Sequence, residues 1–317
     1  MNAVSACGVA ILALACVAPA AADEMKPSVS AVRGVWVDHV TMLSSDASEK
    51  LVLAAKQAKL NTVYPAAARY ACAHYKSAVL PPCDSGATED AFARFRAQAQ
   101  AQGLTVIPWV ERILQVPPKS RPGLVEPIPL NADGFDVLDV DNPMVREMLL
   151  GALVEMASAP GVPGVHVDDN MEYDRALAGD QADAYEAKLT SFVNWLARSF
   201  KVRAPGKFFE VSHHPLPFAE RRYLAAWDEW TEVDRFVVQC YRSSAAAVLA
   251  DAGCRADAGR RIVGLGVAGT ANHVALKDEE ILAVFKEQAR RGDAAVLFYA
   301  GDLLGRPALP ALLGSIP

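Results

Sequence analysis

From about residue 33 onward the chain repeats one pattern of apolar and polar positions. A short run rich in β-branched residues is followed by a turn. A longer stretch then carries apolar residues every three or four positions. The first period is that of a strand and the second that of an amphipathic helix. The strand-like runs are Gly34–Asp38, Asn61–Pro65, Thr105–Glu111, Gly164–Asp168, Phe208–His213, Phe236–Tyr241, Ile262–Val267 and Ala295–Tyr299. Helical stretches lie between them, among them Ser48–Lys59, Glu89–Gln102, Pro143–Ala157 and Asp183–Arg203, and Gly103 is placed to terminate the second of these. Strands alternating with helices predict parallel βαβ units. Eight such units predict a closed (β/α)8 TIM barrel in a single domain, in preference to an open doubly wound sheet.

Strand alternation also assigns faces. In the fourth run Val165 and Val167 are expected to face the helices. His166, Asp168 and Asn170 then point to the barrel axis, and Asp169 begins the following loop at the lip. By the same rule Trp36 and Asp38 face inward from the first run, and Ile107, Trp109 and Glu111 from the third. Glu210, Ser212 and His214 share a face in the fifth, as do Gln239 and Tyr241 in the sixth. Acidic side chains therefore converge on the C-terminal rim, where barrels of this kind carry their active sites. Glycoside hydrolysis needs two carboxyl groups across the cleaved bond, one to donate a proton and one to attack, activate water or steady positive charge. Adjacent carboxylates raise one another's proton affinity. Asp168, Asp169 and Glu111 are the catalytic candidates. Trp36, Tyr64, Trp109, Tyr173 and Tyr241 lie at or near strand ends, where flat rings can stack on sugars. Plainer roles compete: Asp38 holding a neighbouring loop, Glu111 paired with Arg112, and His213 and His214 hydrogen-bonding near the mouth rather than binding metal.

Composition adds bounds. With 31 Lys and Arg against 37 Asp and Glu, net charge −6 and no basic cluster, a nucleic-acid partner is not expected. Val9 to Val17 is apolar but too short to cross a bilayer, and Ala20-Ala21-Ala22 precedes Asp23. This reads as a signal peptide over residues 1–22, with the barrel in 30–317, hence a periplasmic or secreted protein. Ala13-Leu14-Ala15-Cys16 is a weaker match to a lipoprotein site. Beyond it Cys72, Cys83, Cys240 and Cys254 form an even set, as exported chains use for disulfides. Cys72 with Cys83 is the preferred pair, both lying in one loop-rich segment; the pairing of Cys240 and Cys254 stays open, with free thiols as the alternative. The chain carries no C-x-x-C and no H-x-H, so neither a metal site nor an organic cofactor is expected. Gly264-Leu265-Gly266-Val267-Ala268-Gly269 matches the dinucleotide fingerprint, but it falls within and after the seventh strand. Glycine there is expected to make room in a crowded barrel.

Several segments occur together in a telling order. They are Arg33-Gly34-Val35-Trp36-Val37, Asn61-Thr62-Val63-Tyr64-Pro65, Gly103 to Trp109, Asp141-Asn142-Pro143 with Val145-Arg146, Gly164 to Asp169, Ser212-His213-His214-Pro215, and Val237 to Arg242. Together they resemble the glycosyl-hydrolase-like family 10 proteins of bacteria, over nearly all of the chain beyond the signal. The resemblance implies a (β/α)8 barrel, export to the cell envelope and cleavage of glycosidic bonds in a polysaccharide. An amino-sugar polymer such as peptidoglycan strands stripped of peptides is the leading substrate it implies. It carries the family's acidic pair onto Asp168 and Asp169, its third-strand acid onto Glu111, and its first-strand polar position onto Asp38 or His39. The remaining positions expected to hold the sugar are His214, Gln239, Tyr241 and Arg242, with Asn170 or Tyr241 orienting a substrate amide. The competing expectations are a glycan-binding barrel without catalysis and a metal-dependent hydrolase or deacetylase.

Overall fold

A computed structural model describes residues 32–83, 90–117, 128, 134–168, 171–255, 260–266 and 275–316. Eight strands run parallel: β1 (Arg33–Val37), β2 (Thr62–Arg69), β3 (Thr105–Val106 and Trp109–Glu111), β4 (Gly164–Val167), β5 (Phe208–His213), β6 (Arg235–Gln239), β7 (Arg261–Gly266) and β8 (Ala295–Phe298). Each pairs with the next, and β8 returns to β1 in the register Gly34↔Val296, which closes the barrel. The fold is a single-domain (β/α)8 barrel.

Two strands depart from the sequence expectation. β3 is interrupted at Ile107 and Pro108, because Pro108 has no N–H for the ladder; its carbonyl still accepts from His166 N at 2.9 Å. β2 runs four residues beyond Pro65, through Ala66-Ala67-Ala68 to Arg69, with a register irregularity between Ala66 and Ala68. Alanines favour helix in isolation, and tertiary pairing overrides that preference here. The extension sets Arg69 directly beside Glu111.

The helices form because their apolar positions fall on one face. In Ala182–Arg203 the buried residues include Leu189, Phe192, Val193, Leu196, Ala197 and Phe200, spaced as one helical stripe. Asn142 caps Pro143–Ala157 by accepting from Met144 N at 2.9 Å, with Pro143 in the first turn. The core divides in two. Val35, Val63, Val106, Val165, Val167, Val211 and Val238 pack outward with the helices. Trp36, Tyr64, Ala66, Ile107, Trp109, Phe208, Val237, Ile262 and Val296 fill the barrel.

Both disulfides are present, Cys72–Cys83 and Cys240–Cys254, with Cα atoms 4.8 and 5.6 Å apart. Gly264 and Gly266 do make room: a Cβ there would lie 2.9 Å from Trp36 Cη2 and 2.8 Å from Tyr241 Cδ1 respectively. No described helix is long and apolar enough to cross a membrane. Residues 1–22, Asp169, Asn170 and Gly269 lie outside the described residues.

Candidate active site

Asp168 follows β4 at the C-terminal mouth and is only 7% exposed. Its Oδ1 accepts from Ser212 Oγ on β5 at 3.1 Å and from Gln239 Nε2 on β6 at 3.5 Å. Three neighbouring strands thus converge on one carboxylate. The alternation rule explains the convergence, since Asp168, Ser212 and Gln239 all occupy inward positions.

Glu111 ends β3 on the adjacent side of the mouth. Arg69 Nε lies 3.4 Å from Glu111 Oε2 and Arg112 Nε 3.8 Å from Oε1. Burial pushes the Glu111 carboxyl above the usual carboxylate range; Arg69 opposes this and the charge of Asp168 reinforces it, with Arg112 and His39 adding smaller opposing effects. Arg69 Nη1 also meets the His39 ring, 2.9 Å from Nε2. His39 in turn stacks on His74, with ring centroids 5.5 Å apart.

One layer below lies a buried polar chain. Trp36 Nε1 donates to His166 Nε2 at 3.0 Å, and His166 Nδ1 meets Glu210 Oε1 at 2.9 Å. Because indole is a donor only, Nε2 carries the lone pair and the imidazole proton sits on Nδ1, facing Glu210. Arg235 Nη1 is 3.8 Å from Glu210 Oε2, and its guanidinium covers the Phe208 ring at 3.4 Å. The Tyr64 hydroxyl is held well above its ordinary pKa by burial and by the charge of Glu210.

The other expected residues divide by position. Trp36 and Tyr64 are fully enclosed, their rings 6.0 Å apart, so they build the floor rather than line the mouth. Trp109 is also buried, and its indole N–H has no partner among the described residues. Tyr173 is enclosed as well, edge-on to Tyr185. Both Asp38 oxygens serve the helix His39–Leu43, accepting from Thr41 N at 2.9 Å and Thr41 Oγ1 at 2.8 Å. Tyr241 stacks on Phe298 at 5.5 Å. Arg242 is engaged by Asp251 through Nε at 3.1 Å and Nη2 at 2.6 Å. His214 stacks on Tyr223, with Phe218 edge-on to it at 5.2 Å. Arg69, Ser212 as a carboxylate donor and the His166–Glu210–Arg235 chain were not anticipated as site features. For Ser212 the signal was available, since it faces inward one strand from Asp168.

The chain matches no protein-family model and no curated protein. Its fold is similar to the glycoside hydrolase domain of PgaB (BpsB) from Bordetella bronchiseptica, with TM-score 0.64 and 15% identity over 90% of this chain and 98% of that one. It is also similar to a GH18 chitinase of Pseudoalteromonas aurantia, with TM-score 0.52 and 12% identity over 87% and 98% of the two chains. A β-mannanase from the blue mussel Mytilus edulis gives TM-score 0.52 and 12% identity over 89% and 90%. At such identities the likeness carries the fold, a (β/α)8 barrel of the kind glycoside hydrolases use.

Proposed function

We propose that this protein is an exported glycoside hydrolase acting on a bacterial envelope polysaccharide, with an amino-sugar glycan as the leading substrate. The observation that carries this reading is the unlike pair of carboxyls at the mouth. Asp168 is held as an acceptor by Ser212 and Gln239. Glu111 is pushed toward its protonated form by burial and by Asp168. A carboxyl pushed toward its protonated form, with a second carboxyl beside it, is what acid-assisted glycosidic cleavage requires. Glu111 is the proton donor in this reading, and Asp168 steadies the positive charge that develops on the sugar. Asp169 is the proposed second carboxylate at the lip, and Asn170 a proposed contact to the substrate amide. Gln239 reaches Asp168, and Tyr241 and His214 are further proposed contacts to the sugar, while His39 meets Arg69. The names of the fold neighbours support the reaction class, and the two disulfides are in keeping with export.

The test is release of reducing ends from denuded peptidoglycan strands by the purified chain and by Asp168→Asn, Asp169→Asn and Glu111→Gln. Loss of an acid or base group is expected to slow the reaction about 10²–10⁴-fold. Activity like that of the unmodified protein in all three variants would refute the assignment. Binding without new ends in the unmodified protein would instead identify a glycan-binding barrel.

A further inference from the structure

The bank of the mouth between β2 and β3 is cationic in a chain whose net charge is −6. Arg69 and Arg112 flank Glu111, and both are braced from behind. Arg69 lies over the Tyr70 ring at 4.5 Å, Arg112 over the Phe135 ring at 5.0 Å, and the two rings stack at 5.1 Å. Arg112 Nη1 is further fixed by Gln115 Oε1 at 2.5 Å. Tyr70, Ala71 and Arg112 have positive φ (49°, 57° and 55°), an uncommon backbone state outside glycine, and the Cys72–Cys83 bridge closes the loop beside them. The guanidinium groups are therefore held in place rather than free to follow solvent.

This arrangement poses a charge problem that Glu111 alone does not solve. As a proton donor Glu111 must be neutral, and both arginines then lose the one carboxylate they are seen to contact among the described residues. Neither can shed its own charge. An anion delivered with the substrate restores the balance and leaves Glu111 its proton. Guanidinium groups recognise carboxylates by paired N–H···O bonds.

We infer that Arg69 and Arg112 form a carboxylate-recognition subsite beside Glu111, so that the glycan accepted is acidic, with a carboxylate on the sugar next to the cleaved bond. This inference rests on the glycosidase reading for its mechanism but has its own readout in binding. The carboxylate can belong to a lactyl ether on an amino sugar or to a uronic acid.

The experiment compares denuded peptidoglycan strands, the same strands after chemical reduction of their carboxyls to alcohols, and a polyuronate. Binding is measured with Asp168→Asn and hydrolysis with the unmodified chain. Carboxylated strands are expected to bind about 10- to 100-fold more tightly than reduced strands, the range for a charge-assisted contact. In Arg112→Gln that ratio falls toward one. Arg112→Lys, which keeps charge but not the fork, retains part of it, and melting curves confirm that each variant is folded. Tight binding of the polyuronate assigns the selectivity to the uronate form; preference for the strands alone assigns it to the lactyl carboxylate. Equal binding of native and reduced strands, or an unchanged ratio in folded Arg112→Gln, overturns the subsite. Selective binding with no hydrolysis overturns the glycosidase reading and leaves the subsite standing.

Discussion

Glu210→Gln isolates the role of charge in the barrel floor. Glu210 and His166 are 0% exposed and Arg235 is 4% exposed, so none of the three reaches bulk water. The glutamine amide oxygen still accepts from His166 Nδ1, so the 2.9 Å contact survives and only the negative charge is lost. Arg235 is then a buried cation whose ion-pair partner has become neutral. Removing one member of a buried pair typically costs about 3–5 kcal/mol. The Phe208 face, 3.4 Å from the guanidinium, continues to offer cation–π stabilisation of up to about 2 kcal/mol. The expected destabilisation therefore sits near the low end, about 3 kcal/mol. At about 2–4 °C per kcal/mol for large domains, Tm falls by about 6–12 °C. The double variant Glu210→Gln with Arg235→Met removes the stranded charge and should be more stable than Glu210→Gln alone by at least about 1 kcal/mol. Urea and thermal unfolding of the four proteins in this cycle provide the measurement. A Glu210→Gln cost below about 1 kcal/mol, or a double variant as unstable as the sum of the singles, would refute the reasoning.

Glu111, with its proton affinity raised, should impose an alkaline limb on kcat, the rate falling as pH climbs through its elevated pKa. A Glu111→Gln profile that retains that limb would exclude it as the donor. For stability the sign follows from a folded pKa above the ordinary value of 4.5: the favourable contribution is complete below about that pH and is lost as pH rises through the folded pKa. Melting curves for the unmodified protein and Glu111→Gln should diverge across this window. Gly266→Ala places a methyl 2.8 Å from Tyr241 Cδ1, so it should cost about 1–3 kcal/mol and raise KM as the ring is displaced, which steady-state kinetics and melting report together. Replacing Cys72 and Cys83 by serine opens a loop with sequence separation 11 and should cost about 2–4 kcal/mol, read as a lower urea midpoint.

Most of the barrel was legible because its strands obey the period-two rule. Val165 and Val167 face the helices while His166 and Asp168 face the axis, as alternation requires. What resisted reading was decided by partners distant in sequence. Pro65 looked like the end of β2, yet pairing with β3 carries the strand on to Arg69. Arg69 therefore gave no local sign that it would meet Glu111, 42 residues away. Trp36 and Tyr64 were expected at strand ends, but barrel closure places them inside, where Trp36 fixes the His166 tautomer. From sequence Asp38 reads equally as a sugar-positioning residue or as one holding a neighbouring loop, and its two contacts to Thr41 place it as a helix cap.

The Cys240–Cys254 bridge has a bearing on how this scaffold can diversify. It closes the segment after β6 at its base, while the Arg242–Asp251 contact ties the two arms of that segment together. A loop anchored this way is a self-contained cassette: its interior can be lengthened, shortened or exchanged while the anchoring Cys240 stays adjacent to Gln239. Recombining that cassette among similar barrels offers a route to a reshaped mouth without rebuilding the strands that carry Asp168 and Glu111.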